Sequence, residues 1–473
     1  MTEFIENRAS EAGSASIRDG DPRMALLHAP MSMAQRLGVA MTLLITAADG
    51  FDILAASFAA PGIIAEWGIP HATIGVILAM NLVGLGVGAL FISPLADRIG
   101  RRLTILPCLL VVSCAMLLSC LASGPVELAV LRLVTGLGIG GMAAPTLSLA
   151  TEYANARNRS LSAAVISIGL PLGGMAGGAT ASWLLQSHDW RAVFLAGGLF
   201  SLAIAAAAMA LLPESLEYLM SRRDERSLAT LNRVLRRFGQ PELATLPSPA
   251  GGGREGVGEG SQSAGKGGVL AIFSRDLRRT TISMMVVNFT QMMTIFYFMS
   301  WLPQMVADMK FSGSSAAGVS IYQNMLGIAG ALLVGLIGRR LSIVPVALVT
   351  IGGTAMGIIL FATLPASLGW LKAGAGFEGL MALGSSAAIY GVMAHAFPTA
   401  NRSTGIGIAY AFGRLGSIAA ALVPGMLFTG GWTPVGVAMV MSIGSLIAIF
   451  TLLWWRVGHH PQPQAARPVP SMG

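Results

Sequence analysis

Charge is what this sequence has least of. Asp, Glu, Lys and Arg together make up 11% of its 473 residues, less than half of the roughly 25% of a soluble domain. So few charges cannot solvate the surface of a soluble chain this long. Apolar residues are 54% and the mean hydropathy is +0.69, so lipid rather than water is the expected surrounding for most of the chain. Cysteine is scarce too. Cys108, Cys114 and Cys120 lie in one apolar stretch, which excludes a disulfide framework and reads as small buried hydrophobes. The six histidines have no metal-ligand spacing; His459 and His460 adjoin each other without a wider cluster. No metal site is predicted. A nucleophile–base constellation is also missing, so nothing points to an enzyme. The first 36 residues are polar and lack the apolar core of a signal peptide; they read as a cytoplasmic tail.

What is present is a series of apolar runs of about 20 residues, the length that crosses a bilayer as a helix. They fall at 37–59, 72–95, 104–122, 127–150, 161–185 and 191–212, and again at 280–305, 315–337, 342–363, 374–396, 403–424 and 434–456. The predicted fold is all-α, with twelve transmembrane helices in two six-helix bundles, 37–213 and 280–456. A central loop, 214–279, and a C-terminal tail, 457–473, complete the chain. The loop is rich in arginine, and its middle, 251–268, has the Gly, Ser and Glu of a flexible linker. The net charge of +8 collects in loops beside helix ends, a topology signal rather than a nucleic-acid surface. Loops after even-numbered spans carry Arg98, Arg101, Arg102, Arg157, Arg159, Arg339, Arg340 and Arg402 and the central cluster. Loops after odd-numbered spans carry Arg191, Lys310 and Lys372. By the positive-inside rule both termini are cytoplasmic.

The two halves repeat each other. Ile99-Gly100-Arg101-Arg102-Leu103-Thr104-Ile105 returns as Ile337-Gly338-Arg339-Arg340-Leu341-Ser342-Ile343, each after the second span of its half. Asn158-Arg159-Ser160 returns as Asn401-Arg402-Ser403, each between the fourth and fifth. Two matches in order at equivalent places indicate parallel repeats, and such folds place substrate near the midplane between the halves.

A few polar residues sit where burial is costly. An ionised side chain at mid-bilayer costs roughly 2.5–3.5 kcal/mol. The first span holds Asp49 and Asp52, three residues apart and so on one helix face. That face is expected to line the central cavity. Two carboxylates this close in a low dielectric do not both ionise readily, and gaining and losing a proton is what proton coupling requires. The alternative is a hydrogen-bonded acid that pins the span to a neighbour. Arg132 in the fourth span and Arg414 in the eleventh can each hold a carboxylate bidentately. Arg132 can equally pair with a buried acid; for Arg414, with no acid in its own span, cavity contact is the preferred reading. Asn288, Gln291, Tyr297 and Trp301 on the seventh span read as cavity lining, with core packing or an interfacial belt an equal reading of the two aromatics. Phe51 and Phe58 are placed to stack on a ring. Glu378 reads as an interface residue. Gly136, Gly138, Gly140 and Gly141 imitate a phosphate loop but sit in an apolar helix, where close packing explains them.

Pro94-Leu95-Ala96-Asp97-Arg98-Ile99-Gly100-Arg101-Arg102 resembles the loop motif between helices 2 and 3 of the major facilitator superfamily, and Arg132-Leu133-Val134-Thr135-Gly136 resembles its helix 4 motif. Asp49-Gly50-Phe51-Asp52 with Pro61 and Trp67, Trp301-Leu302-Pro303, and Arg402-Ser403-Thr404-Gly405 leading to Gly413-Arg414-Leu415-Gly416 are similar to the aromatic acid–proton symporters. The resemblance implies import of benzoate-type acids with protons, and functional roles for Asp49, Asp52, Asp97, Arg132, Glu152, Arg402 and Arg414. It implies a cytoplasmic gate at Asp97, Arg98, Arg102 and Arg402, with Glu152 as charge partner. Departures are Ser93 where the family has glycine, the absence of an acid in Gly335-Leu336-Ile337-Gly338-Arg339-Arg340, and Ser385 and Ser386 where a glutamine is expected.

The expected partners are a small aromatic carboxylate, protons and the lipid bilayer of a bacterial inner membrane, with no nucleic acid and no cofactor beyond the coupling proton. The expected working unit is a monomer. Rival readings are an exporter of the same fold, whose helix 5 pattern Ile168-Gly169-Leu170-Pro171-Leu172-Gly173-Gly174 matches imperfectly, and a ligand-sensing receptor, which lacks an appended signalling domain.

Overall fold

In lipid every backbone N–H and C=O must be satisfied within the chain, and a run of apolar residues does so as a helix. The computed structural model describes residues 22–222, 224–246, 272–275, 277–338, 340–398 and 401–458. The expectations for the linker at 251–268, for Arg339, for His459 and His460 and for most of both tails lie outside these residues.

Among the described residues twelve long helices are present: α1 (Met33–Trp67), α2 (His71–Phe91), α3 (Arg101–Ser119), α4 (Pro125–Tyr153), α5 (Arg159–Leu184), α6 (Arg191–Leu211), α7 (Arg278–Asp308), α8 (Gly313–Ile337), α9 (Ile343–Thr363), α10 (Leu368–Ala396), α11 (Arg402–Thr429) and α12 (Pro434–Gly458). All are apolar and long enough to span a membrane. Several start before the apolar run does. At α1 a capping box sets the start: Gln35 N donates to Ser32 Oγ and Ser32 N to Gln35 Oε1. At α10 the extra turn holds Lys372, whose ammonium lies 5.3 Å from the centre of the Tyr322 ring.

The central loop is partly helical. Ser215 caps Leu216–Ser221 and Asp224 caps Glu225–Arg237. The second of these buries Leu231, Val234 and Leu235 against the first half, and Phe238 packs edge-on to Tyr153 at 5.6 Å. The expected solvated face is only one side of that helix. Cys114 also departs from expectation; it is exposed, while Cys108 is buried.

The halves are built alike. In the first, α1 packs on α5 and α6, α4 on α2 and α3, and α3 on α6; in the second, α7 packs on α11 and α12, α10 on α8 and α9, and α9 on α12. Glycines set the closest seams. A Cβ on Gly84, Gly136 or Gly140 would collide with a carbonyl oxygen of the facing α4 or α2 backbone, and one on Gly330 or Gly379 would do the same between α8 and α10. The glycine run at 136–141 is therefore a helix seam.

Between the halves, α2 meets α11 and α5 meets α8. These contacts lie towards the end where odd-numbered helices finish. Ala72 N donates to Thr429 Oγ1 at 2.9 Å, and Ser314 Oγ to Ser182 O at 2.6 Å. Trp301 fills the space between Gly75 and Gly425, with the Phe428 and His71 rings 5.4 and 6.2 Å away. His71 Nε2 is 3.7 Å from Asp308 Oδ2. The seal reaches inward as far as Gly174 of α5 against Asn324 of α8. Among the described residues no hydrogen bond or ring contact joins the halves at the basic-loop end.

Candidate functional site

The acid pair of α1 does not face the space between the halves. Gly50, between the two aspartates, presses on the Leu170 carbonyl of α5. Asp52 is fully buried and accepts from Ser201 Oγ of α6 at 3.2 Å. Asp49 is 5% exposed, on the side of Cys108 of α3. Arg132 of α4 is also fully buried. Its NH2 donates to Ser119 Oγ at 2.7 Å, its NH1 to Met116 Sδ at 3.1 Å, and its Cζ lies 4.7 Å from the Phe194 ring centre. Its charge acts on Asp52. One oxygen of each aspartate and Nε of Arg132 have no hydrogen-bond partner. The expected cavity face is thus the interior of the first bundle, and Arg132 is enclosed there near Asp52, held by Ser119 and Met116. The reason is helical: α1 must bury one face against α4 and α6, and the two aspartates lie on that face.

Several expected cavity residues pack inside as well. Asn288 Nδ2 donates to Ala409 O at 2.8 Å, beneath Gly413. Gln291 ties three helices of the second half, donating to Ser385 Oγ at 2.9 Å and accepting from Ser445 Oγ at 2.8 Å. Ser385, noted as a departure, is therefore a core hydrogen-bond partner. Tyr297 is fully buried, with its hydroxyl 3.7 Å from Met305 Sδ. Trp301 belongs to the seal. Phe51 packs on Phe200 at 6.0 Å and on Gly177, and Phe58 on Gly177 and Gly178.

Arg414 differs from all of these. It is only partly buried. On α11 it lies on the same stripe as Ala421 and Gly425, which touch α2 in the sealed part, so below the seal the guanidinium faces the cleft between the halves. Its Cζ lies 4.7 Å from the Tyr410 ring centre, and it bonds the Tyr410 hydroxyl. Tyr390 of α10 sits 6.0 Å from Tyr410, ring to ring. The two tyrosines escaped the sequence reading, although Tyr410 stands one turn before Arg414. A cation stacked on one phenol ring, with a second phenol packed on the first, can hold a carboxylate on the guanidinium with a flat ring beside the tyrosines.

The residues expected to gate form a network within the first half. Its hub is Arg101, which the sequence reading did not single out. Arg101 pairs with Glu152, with Glu217 at 3.0 Å and with Asp97 at 4.0 Å. Glu152 also accepts from Ser215 Oγ at 2.8 Å. Arg98 is not its partner; the Arg98 carbonyl accepts from Arg222 at 2.9 Å. Arg102 N donates to Glu214 at 2.9 Å and its guanidinium to Met209 O at 2.6 Å. Gly100, at φ +111°, allows this; a Cβ there would meet the Glu214 carboxylate. Glu214 and Glu217 lie far along the chain from the motif, so no local pattern marks them. In the second half Arg402 is exposed and reaches the Phe397 carbonyl at 3.5 Å.

Two six-helix halves of the same build, sealed against each other at one end, with a buried acid–arginine cluster inside the first, define a membrane transporter rather than an enzyme. Residues 42–377 and 284–472 match the profile of the Major Facilitator Superfamily, and the chain belongs to that superfamily. Within it the sequence groups with transporters of aromatic acids. It is 30% identical to a gallate transporter of Pseudomonas putida over 90% of both chains. It is 28% identical to a 4-hydroxybenzoate transporter, PcaK, of Pseudomonas aeruginosa, over 90% of this chain and 93% of that one. The fold is shared with the inward-open xylose transporter XylE of Escherichia coli, with a TM-score of 0.67 at 16% identity over 88% of this chain and 95% of that one.

Proposed function

We propose that the protein imports an aromatic carboxylate of the hydroxybenzoate or protocatechuate kind by proton symport. Its two halves rock about a midplane site in a bacterial inner membrane, with both termini cytoplasmic and a monomer as the working unit. The observation that carries the reading is Arg414. Of the residues expected to touch substrate, it is the one whose charged group reaches the cleft, and it stands beside Tyr410 and Tyr390. A benzoate-type anion needs that combination, one guanidinium and flat aromatic neighbours. The gallate and 4-hydroxybenzoate transporters among the relatives support the substrate class.

The coupling centre in this proposal is the cluster of Asp49, Asp52 and Arg132. Buried charge is tolerated when balanced, and two carboxylates with one guanidinium balance when the pair carries one proton. Protonating Asp52 frees Arg132, and losing the proton draws it back. That change alters how α1 sits on α4 and α6, within the half that rocks. The basic-loop end opens to the cytoplasm in this arrangement, and the Arg101 network is the first half's part of the gate there.

The test is uptake of a labelled panel in proteoliposomes with and without an inward proton gradient. Hydroxybenzoates accumulate only with the gradient. Accumulation of a sugar or an amino acid in their place refutes the substrate class, and outward pumping of the acids under the same gradient makes the protein an exporter.

A further inference from the structure

Glu378 of α10 lies in the second half, away from the cluster just described. The sequence placed it at the membrane interface, yet it is fully buried. Oε2 accepts from Gln323 Nε2 of α8 at 3.1 Å, and Oε1 has no partner. Gln323 Oε1, equally buried, also has none. Each is an acceptor facing a shortage of donors, and leaving a buried hydrogen bond unmade is costly. From α9 the neighbour is Gly357, whose missing Cβ lets α10 come close. No charged or titratable group faces Glu378 from α8 or α9 among the described residues; its side-chain partner is the Gln323 amide. Beside the pair is a pocket of about 10 Å³ lined by Gln323, Asn324, Gly379, Ala382, Ile295 and Met299, the room of roughly one water. That is too little for a hydrated metal ion, and the two free oxygens are too few for a bare one.

We infer that Glu378 and Gln323 form a second proton-binding site, in the second half, that nothing in the acid pair of α1 requires. A proton adds to Glu378 Oε1, forming an O–H bond, and gives the pair the one donor it lacks. On release it passes through the adjoining pocket to water in the open cleft. The neighbouring residue ties the site to the conformational cycle. Asn324, next after Gln323 on α8, abuts Gly174 of α5 across the seam between the halves. That seam must part when the outer end opens, so gain or loss of the proton is felt one residue from the moving contact.

The inference rests on the symport reading and is tested on the full-length protein in proteoliposomes. Proton uptake per labelled 4-hydroxybenzoate is measured for wild type, Glu378→Gln and Asp52→Asn. Glu378→Gln, which keeps the shape and a hydrogen bond to Gln323, is expected to lose one proton per substrate and to flatten the pH dependence of uptake. A wild type that couples protons beside a Glu378→Gln of unchanged stoichiometry and pH profile overturns this site and leaves the symport reading standing. A wild type that takes up no protons with substrate overturns both. Uptake driven by sodium in place of protons, and abolished in Glu378→Gln, makes it a cation site and also refutes the inference. If Glu378→Gln does not elute as a folded protein, Gln323→Leu serves: it keeps the acid and strips its donor. A shift in its pH profile supports the site, and an unmoved profile overturns it.

Discussion

Arg414 and Arg132 are the same residue type in opposite surroundings. Arg414 is half-buried and touches Tyr410 at the cleft, so in the proposed function its truncation removes the charged contact with the transported anion along with the Tyr410 bond. A hydrogen bond to a charged group is worth about 1.5–3 kcal/mol. Arg414→Ala should therefore weaken binding of the aromatic acid by about ten- to a hundredfold, seen in the uptake KM and in calorimetry, with folding unaffected. Arg132 is fully buried near Asp52, and removing one partner of such a pair costs about 3–5 kcal/mol. Arg132→Ala should lower the thermal unfolding midpoint markedly, and adding Asp52→Asn should restore part of it. Strictly additive effects of the two changes would show that they do not interact.

At the scale of helices, the seams carry the fold. Gly136→Val places methyls against the Asn81 carbonyl of α2. Backbone cannot yield as a side chain can, so the cost is at least the roughly 1–3 kcal/mol of an overpacked core. Gly86→Ala, where a Cβ meets nothing within 4 Å, should leave stability unchanged. Comparing the two by fluorescence-detected size exclusion after heating checks the claim, and equal losses would refute it. The helix Glu225–Arg237 is a further element that the sequence hid, because its apolar stripe of Leu231, Val234 and Leu235 is short and stands among arginines.

For the whole molecule the decisive feature is closure at one end. Ser182 Oγ and Ser314 Oγ stand 3.5 Å apart across the α5–α8 seam. Cysteines at both positions, with Cys108, Cys114 and Cys120 replaced, should form a disulfide readily. The oxidised protein should cease transport, and reduction should restore uptake. Transport that persists in the oxidised form would show that this seam need not open. His71→Ala removes the ring set between Trp301, Phe428 and Asp308. It should loosen the same end and raise labelling of cysteines there.

Much of this architecture is written in one dimension. Spans are set by the length of apolar runs, the duplication by Ile99–Ile105 and its echo after α8, and the close seams by glycine. The acid pair is legible too, because charge in lipid needs a reason wherever it occurs. Which way each polar residue turns is not legible. A helix that meets lipid on one side and helices on the other is apolar all round, so no stripe marks its inner face. Only packing decided that Asp52 meets Ser201 and not the cleft, that Gln291 ties α7 to α10 and α12, that Arg101 is the hub of Asp97, Glu152 and Glu217, and that Glu378 is buried against Gln323. Apart from Asp97, one turn before Arg101, each of these partners is far from the other in the chain, and the partnership exists only once the helices stand side by side.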